Sequence, residues 1–173
     1  FREAEAAGVT APVRLPAEIR GVKLVMPGEK SAHGIVDCSL ALALDDFVKL
    51  LSERGVVRVR VDNVFRKGAR IGGRGKPSQH ALALAIDIDH FELAGGRRIG
   101  PSAWGASIGQ TPCGPEAVMP TETDDAVFVR DLLCEAGRRG LFHSILTPSF
   151  DAAHQSHFHL DLKRGDTRRM FVR

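Results

Sequence analysis

At 173 residues, 43% hydrophobic and 26% charged, the chain has the makeup of one globular domain, alone or with an arm, and wholesale disorder is excluded. Its 24 lysines and arginines against 21 acids leave a formal charge of +3 and a pI of 9.0, which suits an anionic partner such as a cell wall without demanding one. No run approaches the roughly 18 apolar residues of a membrane span, and no aromatic–basic motif supports nucleic-acid binding.

Residues 1–30 carry Pro12, Pro16 and Pro27 with little periodicity and read as an extended N-terminal arm; residues 31–173 read as the main domain. Residues 39–54, SLALALDDFVKLLSER, predict a helix, because Leu40, Leu44, Phe47, Val48 and Leu51 recur at helical spacing and Gly55 is a natural stop. VVRVRVD, residues 56–62, alternates apolar and charged side chains, as a half-buried strand does. Residues 66–77, rich in glycine and cations, predict a loop. ALALAIDID, residues 81–89, ends in a strand-like run, and Gly95 and Gly96 mark a turn before Arg97–Ile99 resumes extension. Residues 100–120 form a long loop holding Trp104, which packs in the core or lines a groove. Pro120 and Thr121 open a second helix that Gly140 stops, with Thr121 as its N-cap. Strands are expected over 142–147 and 157–162. The fold class is therefore α+β, an antiparallel sheet with flanking helices.

Cys38, Cys113 and Cys134 allow at most one internal disulfide and leave one thiol over. None forms a CxxC pair, which argues against a thiolate metal site. The sequence begins at Phe1 and reads as a trimmed or mature chain.

The most informative segment is HQSHFHLDL, residues 154–162. On a strand, His157, His159 and Asp161 share one face, while Phe158, Leu160 and Leu162 share the other and bury it. A solvated polar face is the plain alternative. The second segment is SQHALALAIDIDH, residues 78–90, in which His80 and Asp87 lie seven apart. Seven residues of strand span about 23 Å and seven of helix about 10.5 Å. Neither lets both side chains reach one ion, whose donors must sit within about 2.0–2.2 Å. The chain must fold back between them, with His80 on a turn and Asp87 on a strand; Ala81, Ala83 and Ala85 are small enough to permit it. Otherwise His80 simply caps a turn and Asp87 ends a strand. Together the segments supply His, Asp and His, a three-donor set that leaves a fourth zinc position for water.

These motifs carry a resemblance. Ser78-x-His80, six residues, Asp87 and then His157-x-His159 resemble the zinc metallopeptidase group of D-alanyl-D-alanine peptidases, lysostaphin-type endopeptidases and murein endopeptidases. His154-x-x-His157-x-His159 looks like the murein endopeptidase branch. SQHALALAIDIDHFEL with LTPSFDAAHQSHFHLDL, and the chain from about Cys38 to Asp161, is similar to the bacterial extensin-like carboxy-terminal domain family. The resemblance implies a hedgehog/D-Ala-D-Ala-peptidase-like fold and one Zn2+ held by His80, Asp87 and His159. It implies that His157 or His154 serves as catalytic base, and that Arg66 pairs with a substrate carboxylate or oxyanion, unless it is a solvated loop cation. One departure is that several relatives have Glu where this chain has His154. The implied substrate is peptidoglycan peptide, cut within stem peptides or cross-links, with endopeptidase favoured over carboxypeptidase. The implied location is the periplasm, cell envelope or exterior, with a leader or anchor encoded upstream of Phe1. The competing reading is a non-catalytic zinc- or wall-binding module on the same fold. A phosphoesterase of paired HxS/T type is disfavoured, because HFHLDL lacks the hydroxyl residue and no second copy exists.

Ser78 is expected to orient His80 or cap its turn, and Asp161 to hydrogen-bond a ligating imidazole or lie on the surface. His33, His90 and His143 read as structural, and the basic tail KRGDTRRMFVR as a solvated terminus.

Overall fold

The computed structural model describes residues 6–27, 34–118, 123–165 and 172–173. Four short strands come first: β1 (Pro12–Arg14), β2 (Glu18–Ile19), β3 (Val22–Val25) and β4 (Ile35–Asp37). Helix α1 (Cys38–Glu53) follows, then β5 (Val56–Asn63), β6 (Ala85–Leu93) and β7 (Arg98–Ile99). Helix α2 (Asp124–Arg138), β8 (Ser144–Leu146) and β9 (Phe158–Asp161) come last. The fold is α+β.

β1 and β4 make a small ribbon of their own. The main sheet runs β2-β3-β5-β6-β9-β8, with β7 on the second half of β6. Its pairs are antiparallel apart from β3 with β5. That exception has a topological cause, since α1 lies between the two strands and supplies the crossover a parallel pair requires. The segment read as an arm furnishes β1, β2 and β3, and its Leu15, Val22 and Leu24 are buried in the main core.

Helix α1 begins one residue before its expected start. Asp37 caps it, with the carboxylate accepting the Ser39 backbone N–H at 3.1 Å. It gives way to Gly55, whose φ of +79° suits a residue without Cβ. The cap of α2 is Thr123, whose hydroxyl accepts from the Ala126 N–H at 3.2 Å. Thr121 and Pro120, together with His33 and most of the basic tail, lie outside the described residues.

Phe47 of α1 meets Phe91 and Phe142 edge-on at 6.4 and 5.4 Å, and Phe91 stacks on Phe158 at 6.0 Å. Full burial of such a side chain contributes about 1.5–3 kcal/mol. Trp104 belongs to this core, 3% exposed and packed on Phe158. Its indole N–H donates to the Ser149 hydroxyl at 2.7 Å. A disulfide joins Cys113 to Cys134 and ties the long loop to α2, leaving Cys38 as the exposed free thiol. Among the described residues no helix is long and apolar enough to cross a membrane.

Candidate metal centre

Alternation along β9 sends Phe158 and Leu160 into the core and His159 and Asp161 to the other side of the sheet. Along β6, Ile86 and Ile88 enter the same core and Asp87 faces away from it. Antiparallel pairing then sets Asp87 directly opposite His159, and His159 Nδ1 lies 2.8 Å from Asp87 Oδ1.

His80 reaches this pair from a 3-10 turn, Gln79–Leu82, which Ser78 caps by accepting the His80 backbone N–H at 3.3 Å. The next residue, Ala83, is fully buried and left-handed, with φ 56° and ψ 32°. That conformation costs a residue with Cβ about 1–2 kcal/mol. It is held by tertiary contact, since the Ala83 carbonyl accepts from the Asp37 N–H at 2.9 Å. The reversal feeds Leu84 into β6, which is how residues seven apart bring their side chains to one point.

His80 Nε2 stands 3.1 Å from Asp87 Oδ1 and 3.2 Å from His159 Nδ1. Donors at 2.0–2.1 Å around a tetrahedral zinc lie about 3.3–3.4 Å apart, so the three edges of 2.8, 3.1 and 3.2 Å are close to those of such a shell. All three residues are buried, at 2%, 4% and 8% exposure for His80, Asp87 and His159. The described residues place this trio, and not His157, where its donor atoms could converge on one ion.

The far nitrogen of each imidazole has its own acceptor. His80 Nδ1 donates to the Val64 carbonyl at 2.5 Å, which turns the Nε2 lone pair to the trio. His159 Nε2 donates to Asp161 Oδ2 at 3.2 Å, which does the same for Nδ1. Such outer partners fix tautomer and ring orientation in metal sites. An unprotonated Nε2 and a carboxylate oxygen 3.1 Å apart repel one another unless a cation or proton stands between them. The donor set could therefore hold a metal ion, zinc among those that take imidazole and carboxylate donors.

Electrostatics are consistent with that pattern. Burial by itself raises the Asp87 carboxyl, yet hydrogen bonds from His159 and His80 outweigh it and hold the group far below the ordinary carboxylate range. Burial by itself lowers His159, yet Asp161 and Asp87 outweigh it and lift the ring to about 9. His159 is then the place where the metal-free site stores a proton.

His157 precedes β9 instead of opening it. Its Nε2 lies 3.6 Å from Asp87 Oδ1 and its side chain is 18% exposed. Burial pushes this ring down from 6.5, and Asp87 opposes the shift only in part. His154 ends a second 3-10 turn, Ala152–His154, with its ring 5.3 Å from that of His157 and 5.8 Å from that of His159. Arg66 is exposed, and its backbone N–H donates to the His80 carbonyl at 3.0 Å, which puts its backbone beside the trio. His90 pairs with Asp89 at 3.1 Å, outside the trio.

Three groups escaped the sequence reading: the Val64 carbonyl, Asp62, whose charge acts on His157, and Asp151, whose carboxylate bonds the His154 ring. Asp151-x-x-His154 carried a signal, since Asp followed by a short turn is a capping pattern. A backbone carbonyl carries none.

A family model described as "Extensin-like protein C-terminus" matches residues 2–171. No curated protein and no solved structure matches the chain.

Proposed function

The chain belongs to the extensin-like C-terminal family, and from that premise we propose that it is a zinc metallopeptidase acting on peptidoglycan. The observation that carries this reading is the convergence of His80 Nε2, Asp87 Oδ1 and His159 Nδ1, with both imidazoles locked from behind by Val64 and Asp161. We further propose kinship with the zinc D-Ala-D-Ala peptidase, lysostaphin-type and murein endopeptidase group, and a fold of hedgehog/D-Ala-D-Ala-peptidase type. The His154-x-x-His157-x-His159 order favours endopeptidase over carboxypeptidase action.

His80, Asp87 and His159 would hold the zinc, which would supply Lewis acidity toward an amide carbonyl and lower the pKa of water so that it can be deprotonated near neutral pH. The chain supplies the proton traffic. His157, kept neutral by burial, accepts a proton from the attacking water and returns it to the leaving amine, with His154 as its neighbour or alternate. Arg66 offers a planar guanidinium to a substrate carboxylate.

Peptidoglycan lies outside the inner membrane, so the reading places the chain in the periplasm or envelope. The Cys113–Cys134 disulfide supports that location, because such bonds persist in oxidising compartments.

Digestion of purified muropeptides with and without chelator, followed by mass spectrometry, tests the proposal. Products that disappear with chelator and return with zinc are expected. Metal-dependent binding of muropeptide with no product would replace the peptidase by a non-catalytic wall-binding module.

A further inference from the structure

We propose that Asp151 is a positioning residue that fixes His154 in its Nδ1–H tautomer and leaves the Nε2 lone pair as the ring's proton acceptor, beside His157 and His159. The inference rests on the peptidase reading, in which His154 handles a proton. It adds a residue and a chain of support to that reading.

Asp151 Oδ1 lies 2.6 Å from His154 Nδ1. The same oxygen accepts from the Ala153 and His154 backbone N–H groups at 2.9 and 3.2 Å. A carboxylate oxygen tied to two amides of the turn cannot swing away from the ring it also holds. Capping alone needs only the backbone bonds, which Ser, Thr or Asn makes as well. The bond to the imidazole is the part that a cap does not explain.

The residues just before Asp151 are hydrogen-bonded to one another and to the core. Thr147 is fully buried; its carbonyl accepts the Phe150 N–H at 2.9 Å and its hydroxyl accepts the Ser149 N–H at 3.3 Å. Ser149 is itself buried and accepts the Trp104 indole N–H at 2.7 Å. Phe150 then meets the His154 ring edge-on at 5.4 Å. The Trp104–Ser149 bond thus anchors to the packed core the backbone that carries Asp151 two residues later, and Asp151 in turn holds the His154 ring. Burial by itself raises the Asp151 carboxyl, but the His154 ring and the turn amides outweigh it and keep the group ionised.

The decisive variant is Asp151→Ser. A serine keeps the cap and is too short to reach the ring. Zinc content and thermal midpoint are expected near wild type. 15N NMR at alkaline pH is expected to show His154 as a single Nδ1–H tautomer in the wild type and a mixture in the variant. On muropeptide, kcat falls about 10- to 100-fold while KM changes by less than about twofold. In a His154→Ala background the same substitution has no further effect. Asp151→Asn, which preserves the acceptor without the charge, keeps the tautomer and still loses turnover, and it serves if the serine variant fails to fold. An unchanged His154 tautomer in Asp151→Ser, or a tautomer mixture already in the wild type, overturns the proposal whatever the activity. A tautomer that responds in a protein that cleaves nothing leaves the positioning intact and overturns the peptidase reading instead.

Discussion

Asp87 and His159 face one another across the β6–β9 pair, 2.8 Å apart, so the candidate metal site depends on the register of two strands. A slip of one residue would carry each side chain to the opposite face of the sheet. Single substitutions are the gentler test. His80→Ala, Asp87→Ala and His159→Ala are each expected to abolish stoichiometric zinc in protein purified without chelator. Asp161→Asn, which keeps the fold and weakens the support of His159, is expected to lower zinc affinity about 10- to 100-fold. Elemental analysis and competition with a chromophoric chelator measure both. Equal zinc in wild type and His159→Ala would overturn the ligand set.

The metal-free site has a definite pH dependence. The His159 ring is raised from 6.5 to about 9 in the folded chain. A raised pKa stabilises the fold fully below pH 6.5, and the contribution is lost as pH climbs through about 9. Asp87 acts in the other sense: its carboxyl is lowered from 3.8, so its contribution is present above that pH and is lost only in strong acid. Zinc must displace the His159 proton, and its affinity is therefore expected to rise about tenfold per pH unit and to level off near pH 9. Calorimetric titration in two buffers of different ionisation enthalpy counts the released proton. No proton release at pH 7.5, with zinc still bound by the trio, would show that His159 is already neutral in the free site.

The disulfide should matter to stability more than to the metal. Cys113 and Cys134 are 21 residues apart in sequence. Closing a loop of that size is worth roughly 3 kcal/mol, or about 6–12 °C of thermal midpoint for a chain of this length. The candidate ligands sit on β6, β9 and the turn before β6, none of which the disulfide joins. A Cys113→Ala/Cys134→Ala variant is expected to melt lower and to bind zinc with wild-type stoichiometry. A scan by circular dichroism beside metal analysis checks both, and loss of zinc in folded variant protein would tie the long loop to the site.

The clustering of His80, Asp87 and His159, like the α+β class, was legible in the sequence, whereas the opening strands were not. HFHLDL alternates cleanly, and the period of two alone sorts His159 and Asp161 from Phe158 and Leu160. The impossibility of spanning His80 to Asp87 on a straight element demanded a reversal, and Ala83 in the left-handed region provides it. The opening strands were not legible, because β1 to β4 hold two to four residues each, too short for any period to emerge. For the same reason the parallel β3–β5 pair could not be foreseen. The Asp151–His154 bond depends on a turn geometry that one acid three residues before a histidine does not specify.

In the proposed reading, catalysis and metal binding separate at His157 and His154. Neither is in the trio, although His157 Nε2 lies only 3.6 Å from Asp87 Oδ1. His157→Ala is therefore expected to retain zinc and to lose turnover by about 10²–10⁴-fold, as the loss of a positioned general base does. Its ring is held neutral by burial, the state a base requires at pH 7. His154→Ala is expected to retain zinc as well. Its effect on turnover measures the share of proton transfer that passes through the ring beside His157, whose centroid is 5.3 Å away. If the two act in relay, the double variant loses no more than the worse single one; if they act at separate steps, the losses multiply. Zinc stoichiometry and muropeptide cleavage on the same preparations decide between these. A zinc-free His157→Ala beside a fully metallated His159→Ala would exchange the roles of the two histidines, making His157 the ligand and His159 the base.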